Sequence, residues 1–448
     1  MIDSYAKSTA SQLVAALAAR KTSALELAKE AISQIERLDP AINAVVVRDF
    51  DRALDAAKAA DAALARGERR PLLGLPMTVK EAHNVAGLPT TWGLLAFKDW
   101  IAPTDSVGVA RLKAAGAIIL GKTNVPPFLS DWQSANPIYG RTNHPLDPTR
   151  TPGGSSGGGA AALAAGMVPL EFGSDIGGSI RVPATFCGVF GHKPTHDLIP
   201  QRGHAPPGLE GAGVALGVVG PVARSAEDLE LALSILAGPD DDQAVGYRLE
   251  LPAPRHKALA DFRVLVIGAH PSAALDSEIA AALDDFAGRV ERAGARVARE
   301  SDLTPDLGAA FDLYRTMLMP IVTRGAPTRP DAASTEDWFN ALDAQWRFRK
   351  RWAILFKSFD VVLAPAFGVV AFPHDDAPFE SRIHVIDGET TPYFTQVAWP
   401  SLATLPNLPA TAFPIGQTRS GLPIGIQAIG PYLEDFTPLA FARLAGGL

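Results

Sequence analysis

The chain has 448 residues, of which 47% are hydrophobic and 20% charged, and its formal net charge is −7. That balance belongs to a globular protein rather than a disordered one, and without a dense Lys/Arg stripe it argues against nucleic acid or an anionic membrane as the main partner. The single cysteine, Cys187, excludes an intramolecular disulfide and fits a reducing compartment.

Met1 is followed by Ile2-Asp3-Ser4-Tyr5 with no charged stretch leading into an apolar one, so no secretory signal is expected. No charge-free apolar run approaches the roughly 18 residues of a membrane span. The expectation is a cytoplasmic soluble protein.

In chain order, 11–19 and 23–38 carry apolar residues at helical spacing, among them Leu25, Leu27, Ala28, Ala31, Ile32 and Ile35. Ser23 stands three residues before Glu26, as in a capping box. A third, alanine-rich helix is expected over 51–66, giving an N-terminal helical region, 1–70, packed on a core of 71–448. Residues 75–79 form an apolar strand that runs into Lys80. A helix over 106–115 and a strand over 117–120 follow, and alternation of the two types continues to about Pro194, which implies α/β architecture.

The stretch 151–181, TPGGSSGGGAAALAAGMVPLEFGSDIGGSIR, holds two glycine-flanked serines, Ser155 and Ser179. An alanine-rich helix (160–166) and a strand (168–172) lie between them. Glycine lets backbone approach a ligand closely, so two such loops can bring both hydroxyls to one point. Beyond Thr195, 199–219 is Gly- and Pro-rich and reads as a long loop, and 225–237 as an amphipathic helix. Residues 262–268, 277–293 and 296–299 read as a strand–helix–strand unit that could form a subdomain at about 260–300. The segment 304–356 is mostly helical, 361–365 a buried strand, and 366–392 irregular. Strand-and-turn chemistry returns over 410–414 and 421–429, before a final helix.

A serine hydroxyl needs a positioned base. None of the histidines sits in a serine-hydrolase setting, and there is no G-x-S-x-G elbow. A lysine held neutral by burial can serve instead, and Lys80 ends an apolar strand. Ser155 would then relay a proton between Lys80 and Ser179. The run Ile176-Gly177-Gly178-Ser179 offers consecutive backbone N–H groups for an oxyanion hole. GGSSGGG lacks the ending of a P-loop, and Gly121-Lys122-Thr123 lacks its beginning, so phosphate binding is disfavoured and Lys122 reads as structural. Cys187 reads as a buried small hydrophobe. Pro194 between His192 and His196 argues against a helical metal pair, and neither metal nor cofactor is proposed.

These residues resemble the amidase signature family, which hydrolyses amide C–N bonds with a Ser–cis-Ser–Lys triad. The resemblance covers almost the whole chain: GLPMTVKEAHNVAGLPTTWG, AAGAIILGKTNVPPF, NPIYGRTNHPLDPTRTPGGSSGG, GSDIGGSIRVPATFCGVFGHKPT and GLPIGIQAIG. It implies a large twisted mixed β-sheet covered by helices on both faces. It also implies Lys80 as base, Ser155 as the bridging serine with the cis peptide, and Ser179 as the nucleophile. Ile176, Gly177, Gly178 and Ser179 would form the oxyanion hole, supported by Ser156, Asp175 and Arg181.

The chain departs from many members at Glu81, at Ala82-His83-Asn84 and at Pro127. Phe128, Leu129, Ser130, Asp131 and Trp132 align with the substrate channel of relatives. An apolar aryl or alkyl amide is therefore the expected substrate, with carbamates (urethanes) or esters as further candidates, and a monomer or homodimer is expected. Two rival readings are the glutaminase subunit of a tRNA-dependent amidotransferase and a non-catalytic binding protein. Against the first, Lys193-Pro194-Thr195-His196-Asp197-Leu198 stands where such proteins commonly carry K-P-T-Y-G-R-V-S-R.

Overall fold

A computed structural model describes residues 5–323 and 333–448. The reading of residues 1–4, and the 324–332 part of the helical stretch 304–356, lie outside the described residues.

Eleven strands form one mixed sheet. In chain order they are β1 (Val45–Arg48), β2 (Pro76–Lys80), β3 (Ile118–Thr123), β4 (Leu170–Asp175), β5 (Phe190–Lys193) and β6 (Val218–Ala223). The remainder are β7 (Arg263–Val266), β8 (Arg296–Ala298), β9 (Val361–Pro365), β10 (Ala410–Gln417) and β11 (Pro423–Ile429). Across the sheet the order is β1-β3-β2-β4-β6-β5-β10-β11-β9-β7-β8. The trio β3, β2 and β4 is parallel, with Lys80 opposite Thr123 and Thr78 opposite Glu171. At the far edge β9, β7 and β8 are parallel too, while the middle pairs are antiparallel. Strands β2, β3 and β4 are buried along their whole length, as parallel strands covered on both faces must be.

Helices cover both faces of this sheet. Ala10–Ala18, Ala24–Ile42 and Phe50–Ala65 bury Leu13, Leu27, Ala28 and Ala57 in the same apolar cluster as Met77 and Val79 of β2. The Ser23–Glu26 capping box is present in both directions. A separate cluster gathers Trp132, Phe186, Tyr314, Phe367 and Trp399. Helix Ser277–Arg292 buries Ile279, Leu283, Phe286 and Val290 against β7 and β9. The expected strand–helix–strand unit is thus the far edge of the one sheet, with β7 pairing directly to β9.

Two expectations need correction, and one strand adds to them. The long loop over 199–219 ends in strand β6, whose Val219 and Val222 are buried. The irregular stretch 366–392 contains a hairpin, Ile383–Ile386 with Glu389–Pro392. Strand β1 is an addition to the expected elements, because four residues squeezed between two helices show too little alternation to read.

Candidate active site

The parallel trio places its C-terminal ends together, which is where ligands bind in open α/β sheets. Lys80 ends β2, and Ser174 and Asp175 end β4. The segment 151–156 leads into helix Gly157–Ala164, and 176–180 leads from β4 into helix Arg181–Cys187. The two serine loops therefore lie at the same sheet edge as the lysine. They are tied together by the Ser156 N–H, which donates to the Ser179 carbonyl at 3.1 Å.

Lys80 is fully buried. Its Nζ lies 2.7 Å from Ser155 Oγ, 3.0 Å from Ser156 Oγ and 2.9 Å from Ser174 Oγ, with the Ser174 carbonyl at 3.4 Å. Burial pushes the Lys80 pKa down from its ordinary 10.5 to about 7, against the pull of the Asp175 and Glu171 charges. The amine is thus neutral in a large share of molecules at neutral pH, with three serine hydroxyls around it. Among the described residues no histidine hydrogen-bonds Ser155 or Ser179, and the titratable side chain that bonds Ser155 is Lys80. Below it, Glu171 accepts hydrogen bonds from the Thr78 hydroxyl and, at 2.6 Å, from that of Thr123. Burial raises the Glu171 carboxyl to about 7, although those hydroxyls and Lys80 oppose the shift.

The Gly154–Ser155 peptide bond is cis, as the resemblance implies. Gly154 admits no side chain, since a Cβ there would lie 2.4 Å from the Asp131 carbonyl oxygen. Ser179 is 6% exposed, and its hydroxyl makes no hydrogen bond among the described residues.

Asp175 organises the loop that carries Ser179. Its carboxylate accepts from the N–H groups of Gly178 (2.9 Å), Ile180 (3.0 Å) and Arg181 (3.3 Å). The Arg181 side chain adds two more bonds, at 3.0 and 2.8 Å, and reaches the Pro400 carbonyl, Gln427 and Thr404. Both side chains are wholly buried. Burial alone would raise the Asp175 pKa; the Arg181 guanidinium and the backbone donors outweigh it and hold it at about 2. Because Gly178 gives its N–H to Asp175, the expected oxyanion donors reduce to Ile176, Gly177 and Ser179, whose N–H groups have no acceptor among the described residues.

The expected channel segment divides. Phe128 and Leu129 are half-buried and take left-handed backbone angles, φ 53° and 58°. Such angles in bulky residues persist where the surroundings over-determine them, often at ligand sites. Here the Phe128 N–H donates to the carbonyl of Trp92, itself at φ 54°. Ser130 and Asp131 border a cleft shared with Arg141, Asp376, Phe379 and Arg382.

Two of the expected channel residues have other partners. The Asp131 carboxylate is held by Arg382 at 2.6 Å and by the Tyr393 hydroxyl at 2.8 Å. Trp132 is 6% exposed, packs on Phe367 and Tyr393, and donates its indole N–H to the Gly177 carbonyl at 2.9 Å. It therefore props the Ser179 loop, a role that an apolar residue beside a channel motif does not announce. Ser174 and Tyr314, which touch Lys80 and the Ile176 carbonyl, escape sequence reasoning because neither lies in a motif that names its partner.

The remaining candidates are structural. Lys122 is buried and bonds the Pro89 carbonyl and Thr90. Burial pushes the Cys187 thiol upward, and its Sγ meets the Pro152 carbonyl. His192 bonds Thr411 and Asp435, whereas His196 bonds the Val214 carbonyl. The two histidines share no common point.

Known proteins resemble the chain along most of its length. The family called Amidase matches residues 26–320 and 314–439. The chain is 32% identical over 453 residues to an indoleacetamide hydrolase of Bradyrhizobium diazoefficiens, covering 96% of this chain and 84% of that one. It is also 32% identical over 481 residues to a glutamyl-tRNA(Gln) amidotransferase subunit of Acidothermus cellulolyticus, covering 95% and 91%. Among solved structures, a bacterial aryl acylamidase of the amidase signature enzymes superposes with a TM-score of 0.83 at 25% identity, covering 98% of this chain and 96% of that one.

Proposed function

The chain belongs to the amidase family, and from that membership we propose that it hydrolyses carboxylic amides through an acyl-enzyme on Ser179. Neutral Lys80 takes the proton of Ser155 while Ser155 takes that of Ser179, whose oxygen attacks the amide carbon. The N–H groups of Gly177 and Ser179, with that of Ile176, receive the oxyanion. Ser155 then protonates the leaving nitrogen with the proton Lys80 returns. Water enters by the same relay and releases the acid. The observation that carries this reading is the fully buried Lys80 amine at 2.7 Å from Ser155 Oγ. Ser179→Ala tests it: covalent labelling by a fluorophosphonate is expected to vanish while the fold is kept. Labelling that persists would move the nucleophile elsewhere.

The preferred substrates in this reading are apolar aryl or alkyl amides, with carbamates and esters presenting the same carbonyl. Half-buried Phe128 and Leu129, in the segment whose Trp132 bonds the Ser179 loop, support it, since each well-buried methylene contributes about 0.8 kcal/mol. A panel of anilides, alkyl amides, carbamates and glutamine, ranked by kcat/KM, decides the class. A second reading, the glutaminase component of an amidotransferase, is favoured by the likeness to the Acidothermus protein. Glutamine as the best substrate in that panel would establish it. A non-catalytic role would leave no reason to keep Lys80, Ser155 and Ser179 together. We take the enzyme to act on a small molecule as a monomer or homodimer. A cytoplasmic placement rests on the lone, unpaired Cys187.

A further inference from the structure

The loop 176–179 contains two glycines, and nothing in its own side chains fixes its peptide planes. Its first three carbonyls are nevertheless each tethered. The Ile176 carbonyl accepts from the Tyr314 hydroxyl at 2.8 Å, and the Gly177 carbonyl from the Trp132 indole N–H at 2.9 Å. The Gly178 carbonyl accepts from the Val182 N–H at 2.7 Å. In a planar trans peptide the C=O and the following N–H point in opposite directions. Holding the Ile176 carbonyl therefore aims the Gly177 N–H away from Tyr314, and holding that of Gly178 aims the Ser179 N–H away from Val182. The middle plane is held at both ends, by Trp132 on its carbonyl and by Asp175 on the Gly178 N–H. The N–H groups left over, of Ile176, Gly177 and Ser179, lie on either side of the one that is used.

We propose that Tyr314 and Trp132 are positioning residues for the oxyanion-binding N–H groups: Tyr314 grips the far end of the plane that carries the Gly177 N–H, and Trp132 fixes the Gly177–Gly178 plane that joins it to the plane of the Ser179 N–H. The proposal rests on the reading of Ser179 as an acyl-forming nucleophile. Both residues come from outside the serine loops: Tyr314 from helix Leu307–Val322, Trp132 from the segment after β3. Tyr314 is 0% exposed. Burial drives its phenol pKa upward, so the hydroxyl remains a donor across the working pH range. Gly178 sits at φ +95°, where its Cβ would strike Val182, so no side chain could replace the tethers from within the loop.

An oxyanion donor acts in the transition state far more than in the bound substrate, so misaiming it lowers kcat and leaves KM. Losing a donor outright costs ~10²–10³ in kcat, and loosening its aim is expected to cost a part of that, about tenfold. The test compares Tyr314→Phe and Trp132→Phe, each of which keeps a ring and removes the donor. Tyr5→Phe removes the same hydroxyl-to-carbonyl bond, to Met167, in a different apolar cluster. Readouts are kcat, KM and the affinity of an arylboronic acid, which forms a tetrahedral adduct on a serine oxygen.

The expected result for both loop variants is a fall in kcat of about tenfold, KM within about twofold, and boronate affinity falling in step with kcat. Tyr5→Phe keeps kcat within about twofold. A rise in KM with kcat unchanged, an unchanged boronate affinity, or an equal loss in Tyr5→Phe overturns the proposal. If Tyr314→Phe fails to fold, Trp132→Phe decides by the same readouts. Wild type that resists fluorophosphonate labelling at Ser179 would instead overturn the acyl-enzyme reading itself.

Discussion

If Lys80 is the base, kcat/KM of the wild type depends on one titration that the structure places unusually low. A lysine titrating near 10.4 is neutral in only ~1 molecule in 2,500 at pH 7, whereas one titrating near 7 is neutral in about half. Burial, the largest influence on Lys80, moves it to about 7 against the attraction of Asp175 and Glu171. The fold thus raises the supply of neutral base roughly a thousandfold at pH 7. The assay is kcat/KM for an anilide between pH 5 and 9.5, which reports groups of the free enzyme. The sign is fixed: the active form is the deprotonated one, so rate rises with pH. Below the inflection it falls about tenfold per pH unit, and above it the profile is flat. A profile level from pH 5 to 7, or an inflection above 9.5, would refute the neutral-lysine argument.

Three further outcomes are expected. Ser174→Ala removes a hydroxyl 2.9 Å from Lys80 Nζ that favours the charged amine, so the acid limb shifts to lower pH; a shift upward contradicts the geometry. Asp175→Asn leaves the buried Arg181 guanidinium without its counter-charge and should cost ~3–5 kcal/mol in urea unfolding; a loss under about 1 kcal/mol would mean that Gln427, Thr404 and Pro400 suffice. Because the folded pKa of Asp175 lies below the unfolded one, the wild-type advantage over this variant is full above about pH 4 and shrinks as pH falls towards about 2. Phe128→Ala should lower kcat/KM for anilides more than for acetamide, as competition between the two substrates would show; an equal loss would place Phe128 outside the channel.

The residues that do the proposed chemistry are legible because each sits in a short stretch with its own pattern. Lys80 ends an apolar run, and Ser155 and Ser179 stand among glycines, which mark a close approach of backbone. The α/β alternation shows the same way, through helices such as 277–293 whose buried residues recur at i, i+4 and i+7. What stays hidden depends on contacts distant in sequence. The tether from Tyr314 to Ile176 spans 138 positions, and its helix reads as any amphipathic helix would. Trp132 reads as a channel residue because an indole beside a motif looks like apolar surface; its N–H acceptor on Gly177 exists only once the loops fold together. Likewise β6 is lost in a Gly- and Pro-rich stretch, since its burial comes from pairing with β4 and β5 on either side.

The central claim is an acyl-enzyme on Ser179, and the direct measurement is to trap it. The enzyme is mixed with an activated aryl ester or anilide, quenched in acid before steady state, digested, and sequenced by tandem mass spectrometry. The acyl mass is expected on the Ser179 hydroxyl, appearing before steady state, absent in Ser179→Ala and much slower to form in Lys80→Ala. Acyl mass on Ser155 or Ser156, or turnover with no acylated peptide at any quench time under conditions where deacylation is slow, would contradict it.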